Sequence, residues 1–303
     1  MELRDLGVGC HIGGVWLGAA GYADDIILMA PSRTSMAMMP EKCEQYAIAH
    51  SLMFSTDPDP RKSKSKCLYM VGTMRNVTFP VNLKLNNEDL PWVETASHLG
   101  HELHQMCDME YDCKVKRAMF IDNSTDIRET FSFAHPDQIL SAVNLYAGHF
   151  YGGMLWDFSG NRFNQLCNSW NICVKLAWDV PRSTHTYLVD NLLGINHLSV
   201  KRQLLSRYTK FFRGLLKSKS NEVKLLSNIV ARDVRSVTGK NLKYIENETG
   251  LDPWISTPAD IRDTLPIKQT PEEDAWRLPL LCKLLYQRQE MSTNCQNKFI
   301  IEL

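Results

Sequence analysis

Asp24 and Asp25 stand side by side between two apolar runs, with Ile12, Val15 and Leu17 before them and Ile26, Ile27, Leu28 and Met29 after. Adjacent carboxylates repel each other, and a turn is more easily made with one Asp and a Gly, so the pair asks for an explanation. A divalent cation supplies one. Hard oxygen ligands suit Mg²⁺ or Mn²⁺, and phosphoryl-transfer enzymes use two such ions, about 3.5 to 4 Å apart, to activate the attacking oxygen and steady the leaving one. Taken alone, a solvated turn explains the pair more simply. The second chemistry-bearing feature is positive. From Lys201 to Lys243 there are twelve basic and two acidic residues, net plus ten, whereas Met1 to Pro60 has three basic and eight acidic, net minus five. In a chain whose formal charge sums to zero, that polarity points to an anionic partner for the later segment and a cation for the earlier one.

The elements that must position these groups divide by period. His11 to Met29 reads as strand, turn, strand, with the Gly18-Ala-Ala-Gly21 stretch after the first apolar run and the aspartates at the connection. Met36, Met39, Cys43, Tyr46 and His50 then recur at helical spacing over Ser35 to Ser51, although Pro40 is expected to delay the helix to about its own position. Thr56 to Lys66 is a Pro-rich, basic connector, followed by strand-like runs at Cys67 to Val71 and Val81 to Leu85. After about Met106 the period changes from two to 3.6. One face carries Ile139, Val143, Tyr146 and Phe150. The next helix carries Phe163, Leu166, Trp170, Val174 and Ala177, with Asn161 placed to cap it and Pro181 to end it. Ser199 precedes a basic amphipathic helix with Val200, Leu204, Tyr208, Phe211 and Leu215 on one side. Lys201, Arg202, Arg207, Lys210 and Arg213 occupy the others. Glu222 to Val237 repeats the pattern, with Gly239 as its stop. Tyr244 to Trp276 is acidic and rich in proline, so irregular structure with short helices is expected there. Trp156, Trp170, Trp178, Trp254 and Trp276 read as packing residues, as do Phe211 and Phe212.

The expected fold class is therefore α+β, in three segments: 1–105 of hairpins and a helix, 106–243 helical, and 244–303 acidic and proline-rich. The nine cysteines are odd in number and contain no C-x-x-C pair, so neither a disulfide framework nor a zinc site is signalled. No stretch approaches the roughly 18 to 20 apolar residues that span a bilayer, and the N-terminus lacks the organisation of a secretion signal. An intracellular protein, of cytoplasm or nucleus, is the expectation, with no membrane partner.

The context of the aspartates carries a resemblance. Gly21-Tyr-Ala-Asp-Asp-Ile-Ile-Leu-Met29 resembles the aromatic-Ala-Asp-Asp hairpin of reverse transcriptases, the palm motif called C. Lys42-Cys-Glu-Gln-Tyr-Ala47 with Lys64-Ser-Lys-Cys67 is similar to the helix and lysine loop of motif D. Leu90-Pro-Trp-Val93 followed by His98-Leu-Gly100 is similar to motif E, the primer grip, of non-LTR (LINE-like) retrotransposon enzymes. The three stand in the family's order. The resemblance is strongest from about Val8 to Leu103, and beyond it only helical character is shared.

It implies a partial polymerase palm followed by a helical thumb-like region, from an RNA-directed DNA polymerase. Asp24 and Asp25 would be its catalytic metal ligands, for Mg²⁺ or Mn²⁺. Tyr22 would lie near the primer end and incoming deoxynucleotide triphosphate, Lys64 or Lys66 near the triphosphate, and His98, Leu99 and Gly100 against the primer. Lys201, Arg202, Arg207, Lys210 and Arg213 would follow the backbone of an RNA template and DNA primer. A palm also needs an aspartate on a neighbouring strand, and the 23 residues before Asp24 offer only Glu2 and Asp5, neither in such a strand. The isolated chain is thus expected not to polymerise. The alternative is a non-catalytic helical module that binds nucleic acid or protein.

Overall fold

A computed structural model describes residues 3–56, 67–72, 82–106, 110–186, 188–189 and 199–264. The architecture is α+β: among the described residues there are eight α-helices and four separate two-stranded antiparallel sheets. The chain divides into two compact units, residues 1–108 with 218–229, and residues 109–217 with 230–303.

The first unit is built from two-residue hairpins. Strands β1 (His11–Ile12) and β2 (Val15–Trp16) meet across Gly13-Gly14, β3 (Ala19–Tyr22) and β4 (Asp25–Leu28) across Ala23-Asp24, β5 (Lys84–Leu85) and β6 (Glu88–Asp89) across Asn86-Asn87, and β7 (Thr95–His98) and β8 (His101–His104) across Leu99-Gly100. Such loops match the right-handed strand twist only with positive φ at one or both central residues. Glycine and asparagine supply it in two of them; Ala23 at φ 54° and Leu99 at φ 48° adopt it against their Cβ. Gly13 is constrained twice, by φ 55° and by the Ile229 side chain, which fills the space a Cβ would need.

Helix α1 spans Arg33–Ala49 and packs on β4 and β5. It starts earlier than Pro40 would allow by sequence rules, and Pro40 lies buried inside it. The Ser32 side chain accepts from the Ser35 N–H and fixes the start, while Met39, Cys43 and Ala47 face inward. Capping and burial thus offset a lost helix bond that costs about 3 kcal/mol. The core of this unit is small: Leu3, Met39 and Cys43 are buried, with Trp16, Leu28 and Phe54 packed around them. Two strand expectations change. The Gly18-Ala-Ala-Gly21 stretch supplies most of a strand, with Ala19 to Tyr22 forming β3 opposite Leu28 to Asp25. Of Cys67 to Val71, Tyr69 alone makes a bridge, to Trp92. The run from Val81 contributes its last two residues to β5, and Val81 itself lies outside the described residues.

The second unit is helical, with α2 (Tyr111–Thr130), α3 (Pro136–Tyr146), α4 (Asn161–Ala177), α5 (Val200–Leu216), α7 (Val237–Thr249) and α8 (Pro258–Thr264). Helix α6 (Asn221–Arg232) gives its last residues to this unit and the rest to the first. The α4 stripe of Phe163, Leu166, Trp170, Val174 and Ala177 is buried throughout, as its spacing requires. The α3 face is narrower than the pattern implied: Ile139 and Val143 are buried, Tyr146 is 68% exposed, and Phe150 reaches the core from beyond the helix end.

Three helix boundaries differ from expectation. Gly160, not Asn161, precedes α4, and the carboxylate accepting from the Arg162 N–H (3.4 Å) belongs to Glu110. A Cβ on Gly160 would collide with that carboxylate. Gly239 does not stop α6. It is the third residue of α7, its N–H donating to Ser236 Oγ at 2.9 Å, and it is small because the Asp233 carbonyl lies against it. Helix α7 runs on through Tyr244 to Thr249, into the segment expected to be irregular with short helices, and ends at Gly250 in the left-handed region (φ 70°); the seven-residue α8 is a short helix of that segment. Among the tryptophans, Trp156 and Trp170 are buried and Trp178 and Trp254 pack against the same core; Trp276 lies outside the described residues. No described helix is long and apolar enough to cross a membrane.

Candidate active-site hairpin and basic helix

The two aspartates occupy the tip of the β3–β4 hairpin. Ala23 and Asp24 form the loop, and Asp25, the first residue of β4, pairs directly with Tyr22. Cross-strand partners share a face, so the Tyr22 ring and the Asp25 carboxylate project on the same side. Both aspartates are exposed, and Tyr22 is 68% exposed. The apolar part of the hairpin lies further down, where Leu28 packs with the α1 core. The sequence therefore builds a stiff stem with a polar, solvent-facing tip.

Such a tip fits a hard divalent ion by donor type but not by donor number. Two adjacent carboxylates attract a hydrated cation, whereas enclosing Mg²⁺ takes near-octahedral oxygen coordination. Among the described residues, no group of three or more His, Cys, Asp or Glu is placed to hold a metal ion.

His98 ends β7 and stands opposite His101, and Leu99 and Gly100 are the two turn residues (φ 48° and 74°). Both imidazoles are half-buried, while Leu99 and Gly100 are exposed. This hairpin and the aspartate hairpin belong to separate sheets. Lys64 and Lys66 lie outside the described residues.

The basic helix α5 begins where Ser199 predicted it, with Ser199 Oγ accepting from the Arg202 N–H. Several of its cations are committed within the fold. Lys201 Nζ meets Glu248 Oε2 at 2.5 Å and lies 5.4 Å from the centre of the Tyr244 ring. Burial works against the Lys201 charge, but Glu248 and Tyr244 together outweigh it and hold its pKa above the ordinary lysine value. Arg213 Nη1 donates to the Ile255 and Ser256 carbonyls at 2.8 and 2.7 Å, fastening the turn that leads into α8. Arg207 reaches Gln203 Oε1 at 3.3 Å. Asp263, held below the usual carboxylate range chiefly by Arg262, also feels Arg202. Lys210 is exposed. Of the paired phenylalanines, Phe212 is buried edge-on to Trp254, with ring centres 5.0 Å apart, whereas Phe211 is 36% exposed and is not a core residue.

Sequence reasoning missed the buried polar groups that hold this region together. Asn241 accepts from the Phe158 N–H (2.9 Å) and donates to the Trp156 carbonyl (2.7 Å). Asp112 accepts from Trp156 Nε1 at 2.7 Å and from Lys116 at 3.0 Å. Only the i,i+4 spacing of Asp112 and Lys116 was available as a signal, because the other partners are 44 to 85 residues apart. No family model matches this chain, and no curated protein matches it.

Proposed function

We propose that the chain is part of an RNA-directed DNA polymerase of a non-LTR retrotransposon, in which the β3–β4 hairpin is the aspartate-bearing hairpin of the palm. The observation that carries this reading is Tyr22-Ala-Asp-Asp25 at the tip of a two-residue turn between apolar strands, followed in order by the motif D and motif E likenesses. Asp24 and Asp25 would be two of the ligands for Mg²⁺ or Mn²⁺. A further carboxylate from outside the described residues would complete the site. RNA template, DNA primer and deoxynucleotide triphosphates would be the partners, inside the cell. With no third donor at the hairpin among the described residues, this reading expects no polymerase activity from residues 1–303 alone. Primer extension on a primed RNA template tests it: purified chain should incorporate no nucleotide with either ion, and robust incorporation would contradict it.

A second reading, a non-catalytic module that binds nucleic acid or protein, is favoured by one observation: the larger core lies in the helical unit. Salt-dependent binding of primer-template that is indifferent to Asp24→Asn, Asp25→Asn and added Mn²⁺ would select it.

A further inference from the structure

The β7–β8 hairpin sorts its polar residues by face. Its register pairs Thr95 with His104, Ala96 with Leu103, Ser97 with Glu102 and His98 with His101. Side chains alternate along each strand and directly paired residues share a face, so His98 and His101 stand on one side, with Ala96 and Leu103 next along it. Glu102 and His104 stand on the other, where Ser97 Oγ donates to Glu102 Oε1 at 2.5 Å.

Residues in direct cross-strand register have Cβ atoms about 4.5 to 5.5 Å apart. That is close to the roughly 5 to 6 Å between i,i+4 neighbours on a helix, the spacing from which the two histidines of an H-E-x-x-H helix grip one zinc ion. Imidazole nitrogen suits Cu²⁺, Ni²⁺ or Zn²⁺, whereas carboxylate oxygen, as at the Asp24–Asp25 tip, suits Mg²⁺ or Mn²⁺. The pairing of the two rings is set locally. A two-residue loop, with Leu99 at φ 48° and Gly100 at φ 74°, fixes which residues face each other across the strands. Both rings are half-buried, which limits the rotamers that a bound ion has to fix.

We propose that His98 and His101 chelate one late first-row divalent cation, Cu²⁺ above Ni²⁺ or Zn²⁺, across the β7–β8 turn. The two imidazoles are the protein's ligands and water fills the remaining positions, in keeping with the lack of any group of three donors among the described residues. The ion clips the two strands together beside the left-handed backbone of Leu99, so metal binding and closure of the hairpin are coupled. This proposal does not rest on the polymerase reading.

Cu²⁺ titrated into the full 303-residue chain and followed by electron paramagnetic resonance tests it. Expected is one tight ion per chain, with hyperfine structure from two imidazole nitrogens. His98→Gln and His101→Gln should each weaken that binding at least about tenfold and leave one imidazole nitrogen in the spectrum. His104→Gln, on the opposite face of the same strand, should change neither. Protons compete for the imidazole nitrogens, so affinity should fall as pH is lowered from about 7.5 to about 5.5. Amide exchange across residues 95–104 should slow on adding Cu²⁺ to the parent chain and not to His98→Gln. Binding that survives both single substitutions, binding that His104→Gln weakens as much, or a spectrum with fewer than two imidazole nitrogens would overturn the proposal.

Discussion

The hairpin-bearing unit and the helical unit spend their apolar residues differently. In the first, Leu3, Met39 and Cys43 form a small buried cluster, and the residues with chemical potential, Tyr22, Asp24 and Asp25, project from a two-residue turn into solvent. In the second, Phe120, Phe158, Phe163, Trp170 and Phe212 lie in one continuous core, and its buried polar groups Asp112 and Asn241 are tied to tryptophan and backbone partners. A turn tip that meets solvent carries little of the fold and so tolerates chemical specialisation. A packed aromatic core carries the stability, and some of its cations, Lys201 and Arg213 among them, help to hold it.

That contrast breaks most visibly at one of the two fully buried tryptophans. Trp170→Ala is expected to destabilise the chain by about 3 to 5 kcal/mol, measured by urea unfolding. Trp170→Phe should cost much less, because it refills most of the space and removes an indole N–H that is buried without a partner among the described residues. Met39→Ala probes the smaller core, with a loss of about 2 to 5 kcal/mol, toward the lower end if the hairpin unit relaxes around the gap. Asn241→Ala leaves the Phe158 N–H and the Trp156 carbonyl unpaired and should cost about 1 to 3 kcal/mol. Unchanged unfolding midpoints for these three variants would remove the distinction between a structural and an exposed unit.

Alkaline pH offers a milder test of the helical unit. Burial pushes the Cys113 thiol up to about 12, assisted by neighbouring Cys167, and the Cys173 thiol up to about 11, both from an ordinary 9.0. Burial likewise raises the Tyr208 hydroxyl to about 12. The folded state keeps protons that the unfolded chain releases first, so the stabilisation is whole below about pH 9 and is lost as pH climbs toward 12. The urea midpoint should fall between pH 8 and about pH 10.5, and Cys113→Ala with Cys173→Ala should flatten that fall. The smallest effect belongs to the hairpin tip. Asp24→Asn and Asp25→Asn should each leave the unfolding midpoint within about 0.5 kcal/mol of the parent.

Local signals in the sequence reached the elements whose causes are local. Ser199 marked the start of α5, the Phe163 to Ala177 spacing marked a buried helix face, and the apolar runs around Asp24 marked a hairpin. The failures lie where packing overrode a residue's own preference. Pro40, Asn161 and Gly239 were read by intrinsic preference, and the outcome was decided by the burial of Pro40 with Met39 and Cys43, by the Glu110 carboxylate at the α4 start and by the Asp233 carbonyl against Gly239. At the candidate site, the sequence placed both aspartates on the turn. It did not show that Lys201 and Arg213 are held by Glu248 and by the 255–256 carbonyls, because those partners lie more than forty residues away.

Primer extension and primer-template binding, assayed together on one preparation of residues 1–303, bear most directly on the claim that Asp24 and Asp25 are two ligands of an incomplete two-metal site. Salt-sensitive binding of a primed RNA template with no incorporation in Mg²⁺ or Mn²⁺ is expected. Incorporation that disappears in Asp24→Asn would contradict it, because the site would then be complete within this chain.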